Sequence, residues 1–437
     1  MKKLYIETYG CQMNISDSEI VVSILVNQFT VTKNQTEADL VLLNTCSVRD
    51  HAEQRVRKRL REFNALKKKK PTLIVGLLGC MAERLKEQLL YEEQILDFIA
   101  GPDAYRALPQ LIEKAANGET GFNLLLSEKE TYDDIDPIRY ANNGVSAFVS
   151  IMRGCNNFCS YCVVPYTRGN ERSRNPKTIL EEVEKLIHQG YKEVTLLGQN
   201  VNSYHWQEGE TTIDFADLIV QVALVSSDLR VRFATSHPKD ISDKLIFNMA
   251  SHQNICKYIH LPIQSGSDSI LQRMNRVYTR AYYLERIATI KRILPDCAIS
   301  TDIIAGFCGE TEDDHADTLS IMNEVGYSSA FMFRYSVREG TKAAEKFDDD
   351  IPDDIKARRL EEIIALQQEL SLLSNKQDIG KTVTVLVEGI SKRSENRLFG
   401  KTDQNKACVF PRGNHKIGDY IKVRIMGCTA HTLFAEL

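Results

Sequence analysis

Residues 145–174 read VSAFVSIMRGCNNFCSYCVVPYTRGNERSR, and how this stretch is built decides the fold. The apolar run Ala147–Met152 has strand character. It is followed at once by Cys155, Cys159 and Cys162 on a segment of turn-forming residues. Pro176 then sits where a first helical turn tolerates proline, and a helical pattern runs on to Gln189. Strand, cysteine loop and helix form the first unit of a repeat. Five further strands are predicted at Glu193–Leu197, Val231–Thr235, Tyr258–Pro262, Ala298–Ile304 and Ala330–Tyr335, with helical patterns such as Tyr282–Ile293 and Glu312–Val325 between them. Six βα units fit an open, partial (βα)6 TIM-like barrel rather than the full eight-stranded one.

Working outward, residues 1–120 also alternate. Strand-like runs at Leu4–Glu7, Asp39–Leu43 and Thr72–Leu78 precede helical patterns at Ser16–Gln28, Arg49–Leu66 and Ala82–Leu90, which predicts a parallel α/β domain. Ser127–Gly144 is polar, acidic and without period, and reads as a linker. It is drawn over 121–143, with the barrel core over 144–373. Asp353–Asn375 reads as a charged amphipathic helix. Beyond Gly380 come short strands, Thr382–Val387, Ala407–Phe410, Tyr420–Ile425 and Thr432–Ala435, punctuated by glycine and proline. They suggest a small antiparallel β-barrel over 374–437, in the style of oligonucleotide-binding modules. The expected class is α/β with three domains, in keeping with 437 residues.

Composition, 43% hydrophobic and 26% charged, is that of a globular chain. No run approaches the ~20 apolar residues of a membrane span. MKKLYIETYGC at the N-terminus is too short and too polar for a signal peptide, so the chain is expected in the cytosol, where thiols stay reduced. An odd count of 11 cysteines then argues for metal binding or catalysis over a disulfide framework. The net charge of −4 is uneven: residues 376–437 carry 11 Lys and Arg against 6 Asp and Glu, a local +5 that leaves −9 on the rest. A basic tail on an acidic body points to a polyanionic partner.

Two sets of cysteines carry the chemistry. Cys155, Cys159 and Cys162 lie at the C-terminal end of the first barrel strand, where active sites of such folds gather. Three thiolates can hold three irons of a 4Fe–4S cluster and leave the fourth open. A zinc site would want a fourth protein ligand, and no nearby histidine supplies one. Cys11, Cys46 and Cys80 are spaced by 35 and 34 residues, each just after one of the three N-terminal strands. Parallel strands bring those ends together, and the helix starts that follow favour thiolates. The plainer alternative is three small buried residues. Cys256, Cys297, Cys308, Cys408 and Cys428 show no ligand spacing. The other strand ends offer Gln199, Asn200, Ser236 and Gln264, with Asp302 on the fifth strand, as cofactor contacts on one rim; each alone would equally serve as a turn or cap residue.

Cys-x-x-x-Cys-x-aromatic-Cys, with Tyr161 at the aromatic position, resembles the radical S-adenosylmethionine superfamily. The resemblance implies that S-adenosylmethionine chelates the open iron, that one electron cleaves it to a 5′-deoxyadenosyl radical, and that Tyr161 lies beside its adenine. TYGCQMN at 8–14, NTCSVR at 44–49, Gly79–Met81 and GCNNFCSYCVVPYTRGNERSR at 154–174 are similar to the methylthiotransferase family, and the C-terminal module resembles the RNA-binding TRAM domain. The first of these motifs and VVPYTRG-ERSR are most similar to the branch that converts N6-isopentenyladenosine at tRNA position 37 to its 2-methylthio derivative by sulfur insertion and methylation at C2. That resemblance implies a second, auxiliary 4Fe–4S cluster on Cys11, Cys46 and Cys80 that carries the sulfur. It also implies a tRNA anticodon stem-loop as partner, whose unpaired bases can be splayed out, an electron donor and an iron–sulfur assembly system. Arg168, Arg172 and Arg174, with Lys392, Arg393, Arg397, Lys401 and Lys406 in the tail, are the candidate phosphate contacts. Nothing in the sequence demands a membrane or more than a monomer. Cys308, Val337 and Glu339 stand where the family usually has proline, which affects loop shape and no ligand cysteine. Two other readings stand beside this one. A sister branch would act on threonylcarbamoyladenosine or a ribosomal protein, against which Tyr9, Gln12 and Met13 weigh. A non-catalytic iron–sulfur RNA-binding redox sensor would account for the cysteines and the tail, but not for two three-ligand sets or for Tyr161.

Overall fold

The computed structural model describes residues 1–47, 50–140 and 143–437. Val48 and Arg49 of the NTCSVR motif, and residues 141 and 142 of the predicted linker, lie outside the described residues. The N-terminal sheet consists of β1 (Lys2–Thr8), β2 (Phe29–Val31), β3 (Leu40–Thr45), β4 (Ile74–Gly79), β5 (Phe98–Ala100) and β6 (Gly121–Asn123), all parallel, in the order β2-β1-β3-β4-β5-β6. Helices α1 (Gln12–Leu25), α2 (Asp50–Lys69), α3 (Cys80–Glu92) and α4 (Leu108–Ala116) flank it. Every residue of β3 and β4 is buried, because their side chains alternate between two cores. Leu40, Leu42 and Leu78 face one, with Val21 and Leu25; Val41, Leu43, Val75 and Leu77 face the other, with Val56, Leu60 and Phe63. A strand covered on both faces reads as a continuous apolar run, so β3 and β4 were legible. β2, β5 and β6 have three residues each, too few for a periodic signal. The sheet takes in β6, beyond the residue-120 boundary. Register pairs Thr8 with Asn44 and Thr45 with Gly79, so the three strands that precede the cysteines end level.

The barrel strands are Ser146–Ser150, Glu193–Leu197, Arg230–Phe233, Tyr258–His260, Ala298–Ala305 and Ser329–Arg334, each within a few residues of its predicted span. They form two three-stranded parallel ladders joined by a bridge between Val231 and Ile255. Among the described residues no ladder joins the first strand to the sixth, so the barrel is open along that seam. Val149, Val194, Leu196, Val231, Ile259, Ile299 and Ile303 point outward into the core shared with the helices. The alternate positions point inward and are mostly polar. The helix Asp353–Lys376 packs along the sixth strand, where Gln367 and Ser371 donate hydrogen bonds to the carbonyls of Tyr327 and Ser328.

Five strands close the C-terminal barrel: Thr382–Ile390, Arg397–Thr402, Ala407–Pro411, Tyr420–Cys428 and Leu433–Glu436. Four were predicted; Arg397–Thr402 was missed because its buried positions include Gly400 and Thr402. The module seats on the N-terminal end of the large barrel. Arg230 and Arg232 donate to the carbonyls of Lys401, Asp403 and Thr402 at 2.9, 2.9 and 2.6 Å, and the Tyr420 hydroxyl donates to that of Lys192. It therefore sits at the end opposite the cysteine loop.

Two sequence readings need correction at the junction of the N-terminal sheet and the barrel. The acidic stretch after residue 126 is a strap rather than a loose linker: Tyr132 is buried and Ile135, Ile138 and Tyr140 pack on the N-terminal core. Arg168, Arg172 and Arg174 are buried, not presented to a phosphate backbone. Arg153 and Arg168 both reach Asp17, at 2.8 Å each, and Arg172 reaches Asp103 at 3.0 Å. Arg174 and Arg139 share Glu182, and Arg139 also pairs with Glu19. Burial raises the cost of charging Asp17, but the charges of Arg153 and Arg168 outweigh it and hold the carboxyl below its usual range. Removing one member of such a network leaves uncompensated buried charge, which costs about 3–5 kcal/mol. Asp17→Ala is accordingly expected to lower the denaturant midpoint by that equivalent; a midpoint unchanged from wild type would contradict the network's role.

Candidate active site

Each N-terminal cysteine is positioned by a glycine, a strand end or both. Gly10 has φ +124°, and a Cβ there would stand 2.3 Å from Cys46 Cβ, so only glycine lets the Cys11 and Cys46 loops meet. Gly79 has φ +89°, and a Cβ would stand 2.5 Å from Asn44 Oδ1. Cys11 caps α1 and Cys80 opens α3. A hydrogen bond from Cys46 and the charge of Arg168 outweigh burial and lower the Cys11 thiol to about 6. Burial raises the Cys80 thiol, against the charge of Arg168 and a hydrogen bond with Thr167. Asn14 accepts from Cys11 Sγ at 3.2 Å and links through Asn44 to Ser18. Arg338, from beyond the sixth barrel strand, feels the charge of Cys46.

The second triad lies inside a short hairpin in which Met152–Arg153 pairs with Arg172–Ser173. Gly154 has φ +78°, and a Cβ would stand 1.9 Å from the Asn170 carbonyl oxygen, so the loop closes tightly on itself. Ser160 ties it to the fourth strand's loop, donating to the carbonyls of Met274 and Arg273 at 3.0 and 2.8 Å. Cys155 and Cys159 are buried and Cys162 partly so. Burial pushes the Cys155 thiol up to about 11 and raises that of Cys162. Arg276, which sequence reasoning missed, is buried and donates to Cys159 Sγ at 3.2 Å and to the Pro262 carbonyl at 2.8 Å. No spacing rule flags a lone arginine more than a hundred residues away; only the fold brings it there.

The five-residue helix Val164–Arg168 connects the two triads, and at a helical rise it is about 7.5 Å long. At one end the Val164 backbone hydrogen-bonds Cys162; at the other, Thr167 and Arg168 act on Cys80 and Cys11. Among the described residues no three His, Cys, Asp or Glu side chains surround a single metal-ion position. Ligands to three different irons of one cluster would not converge on a single point either. The donor sets fit clusters in kind, since each offers three cysteine thiols and a cation beside them.

Of the predicted rim residues, Gln199 Oε1, Asn200 Oδ1 and Ser236 Oγ are buried with no hydrogen-bond partner among the described residues. Unpaired buried polar atoms are rare and costly, and three at the ends of neighbouring strands fit a polar cofactor. Gln264 adopts φ +75° and Thr235 φ +71°, local strain of about 1–3 kcal/mol each of the kind found where ligands are held. Asp302 stands 3.4 Å from His260 Nε2. Tyr161 packs edge-on against Phe307 with ring centroids 6.4 Å apart. In the tail, Lys392, Arg393 and Arg397 are exposed, whereas Lys401 pairs with Glu388 and Lys406 with Asp378.

An open parallel barrel with three thiols on the loop after its first strand is the core of a radical S-adenosylmethionine enzyme. The radical SAM superfamily model matches residues 149–322, the model described as Uncharacterized protein family UPF0004 matches 3–101, and the TRAM domain matches 376–437. A Bacteroides fragilis protein named tRNA-2-methylthio-N(6)-dimethylallyladenosine synthase is 55% identical over 437 residues, covering 100% of this chain and 95% of that one. Proteins of the same name from Amoebophilus asiaticus and Porphyromonas gingivalis are 54% and 53% identical, covering 100% of this chain and 92% and 95% of theirs. Among solved structures, the radical S-adenosylmethionine methyltransferase TsrM from Kitasatospora setae aligns with TM-score 0.56 at 13% identity, over 79% of this chain and 75% of that one, a likeness of fold alone. The chain belongs to the tRNA-2-methylthio-N(6)-dimethylallyladenosine synthase family. No helix among the described residues is long and apolar enough to cross a membrane.

The lowered thiol gives a direct check. Thiolate is the form that alkylates, so iodoacetamide labelling of Cys11 in metal-free protein is expected to rise with pH through a midpoint of about 6. Cys46→Ala removes the largest lowering influence and should move the midpoint up. A wild-type midpoint at an ordinary thiol value would contradict the geometry.

Proposed function

We propose that this chain installs a methylthio group at C2 of N6-dimethylallyladenosine (isopentenyladenosine) at position 37 of tRNA, with one 4Fe–4S cluster held by Cys155, Cys159 and Cys162 and an auxiliary one by Cys11, Cys46 and Cys80. The observation that carries it is the placement of both triads at the two ends of Val164–Arg168. When bound, the clusters and S-adenosylmethionine supply the radical that takes the C2 hydrogen, the sulfur and the methyl group. An aromatic C–H offers no acidity to an ordinary side-chain base.

The chain's own residues hold and orient. Gln199, Asn200 and Ser236 turn unpaired polar atoms to the S-adenosylmethionine site, Gln264 and Asp302 flank it, and Tyr161 borders its adenine. Arg276 offers a buried cation beside Cys159 for a carboxylate. Arg168 offsets negative charge at the auxiliary site. Lys392, Arg393 and Arg397 add salt-dependent grip on the RNA backbone, while the anticodon loop reaches the cysteine rim. The protein works in the cytoplasm as a monomer, drawing electrons from a separate donor and its clusters from an assembly system.

Anaerobic incubation of the reconstituted protein with S-adenosylmethionine, reductant and dimethylallylated tRNA, followed by nucleoside mass spectrometry, is expected to show the 2-methylthio adduct. 5′-Deoxyadenosine without the adduct would move the substrate to a sister branch; neither product would sink the enzymatic reading. Cys159→Ala is expected to abolish 5′-deoxyadenosine formation, whereas Cys46→Ala should keep it and lose sulfur insertion. Methylthiolation by Cys46→Ala at the wild-type rate would refute the division of labour between the triads.

A further inference from the structure

Outside its C-terminal module the chain is net acidic at −9, yet one helix of the N-terminal domain is strongly basic. The 20 residues of α2 hold eight Lys and Arg against three Asp and Glu. Helical spacing sorts these charges. Val56, Leu60 and Phe63 turn inward to the core beneath the sheet. The side opposite them therefore carries Lys58, Arg61 and Lys68, with Arg55 and Lys69 at its margins, and all five are exposed. The acids nearby are matched along the two edges of the helix. Arg57 pairs with Glu53, Glu92 and Glu93, and Arg59 with Glu7 and Glu62. Lys67 pairs with Asp97 and Lys70 with Asp39. Among the described residues, Arg55, Lys58, Arg61, Lys68 and Lys69 stand in no ion pair.

Such a row of cations fits an anionic polymer better than a protein. Protein interfaces are built round apolar and aromatic anchors and are depleted in lysine. The outer side of α2 offers only Gln54, Asn64 and Ala65 besides its charges, and no large apolar side chain of α2 is exposed among the described residues. A phosphate backbone asks only for charge at intervals. From Arg55 to Lys69 the row runs about 21 Å, the length of several phosphates along one strand. Lys70, at the end of α2, donates to the Ala38 carbonyl at 2.7 Å, beside the start of β3, so α2 runs antiparallel to β3. The row thus begins near the sheet end that carries Cys46 and leads away from it. It lies on the face of the sheet opposite the strap, whose Ile135, Ile138 and Tyr140 pack on the other core. We propose that this face of α2 binds the phosphate backbone of the substrate tRNA outside the anticodon stem-loop; the choice of tRNA rests on the function proposed above. In that reading the stem-loop lies between the cysteine rim and Lys392, Arg393 and Arg397 of the C-terminal module. A second basic surface, on the outer face of the other domain, takes RNA that the stem-loop does not contain. It adds affinity and orientation without reading sequence.

The test measures binding of full-length dimethylallylated tRNA, and of its isolated anticodon stem-loop, by fluorescence anisotropy across a salt series. It compares reconstituted wild type with the triple variant Lys58→Gln, Arg61→Gln, Lys68→Gln. Each lost phosphate contact lowers the slope of log K against log salt by about 0.7–0.9. The variant's slope for tRNA is therefore expected to fall by about 2–3, and its affinity at low salt by about tenfold or more. Its affinity for the stem-loop should stay at the wild-type value. The double variant Lys58→Arg, Lys68→Arg, which keeps the charge, should bind both RNAs as wild type does. Unchanged tRNA binding by the triple variant overturns the proposal and leaves the surface to an acidic protein. An equal loss on both RNAs overturns the placement outside the stem-loop. Wild type that binds tRNA but forms no methylthio adduct would sink the functional reading, while a slope lost in the triple variant would still support the surface.

Discussion

The buried contact of Arg153, Arg168 and Arg172 with Asp17 and Asp103 is the constraint on which the rest depends. Each arginine borders the radical loop: Arg153 lies two residues before Cys155, and Arg168 and Arg172 follow Cys162. Asp17 lies on the helix that Cys11 begins, and Asp103 follows the strand Phe98–Ala100. Burying charge is expensive unless each partner is matched and hydrogen-bonded. Here Arg153 also donates to the Pro102 carbonyl at 3.0 Å and stacks over Tyr132, and Arg172 donates to the Arg168 carbonyl at 3.2 Å. A hydrophobic interface could bind as tightly but would not dictate one orientation. Matched ion pairs accept a single register, and that register sets the helix Val164–Arg168 between the two sets of thiols.

This network also explains where sequence reasoning succeeded and where it failed. Where the cysteines fall in the fold was legible because their placement is local, in the radical loop, or tied to strand ends, in the N-terminal sheet. The six barrel strands were legible because outward residues such as Val194, Leu196, Ile299 and Ile303 give strong apolar signals. The arginines of RGNERSR were misread. A guanidinium beside a cluster motif looks the same in sequence whether it grips a phosphate or a buried carboxylate on another domain, and only the distant Asp17 and Asp103 decide. Arg276 was missed for the same reason. The strap over 127–140 was misread because its few anchors, Tyr132, Ile135, Ile138 and Tyr140, are scattered among acids and carry no period.

The C-terminal module adds a constraint on the substrate. It sits on the N-terminal ends of the barrel strands through Arg230, Arg232 and Tyr420, while the thiols gather at the opposite ends. An RNA gripped by Lys392, Arg393 and Arg397 whose loop also reaches the cysteine rim must span the length of the barrel. A stem-loop has that reach, and an isolated nucleoside does not. Under the proposed function, recognition is divided between backbone charge at one end and chemistry on a single base at the other.

Under the proposed function the fold holds two separate cluster sites, one at each end of Val164–Arg168. Anomalous diffraction at the iron edge, from crystals of the anaerobically reconstituted protein, tests it most directly. Two iron-rich peaks are expected, one ringed by Cys155, Cys159 and Cys162, the other by Cys11, Cys46 and Cys80, at opposite ends of Val164–Arg168. A single peak, or a second one away from the N-terminal thiols, would contradict it.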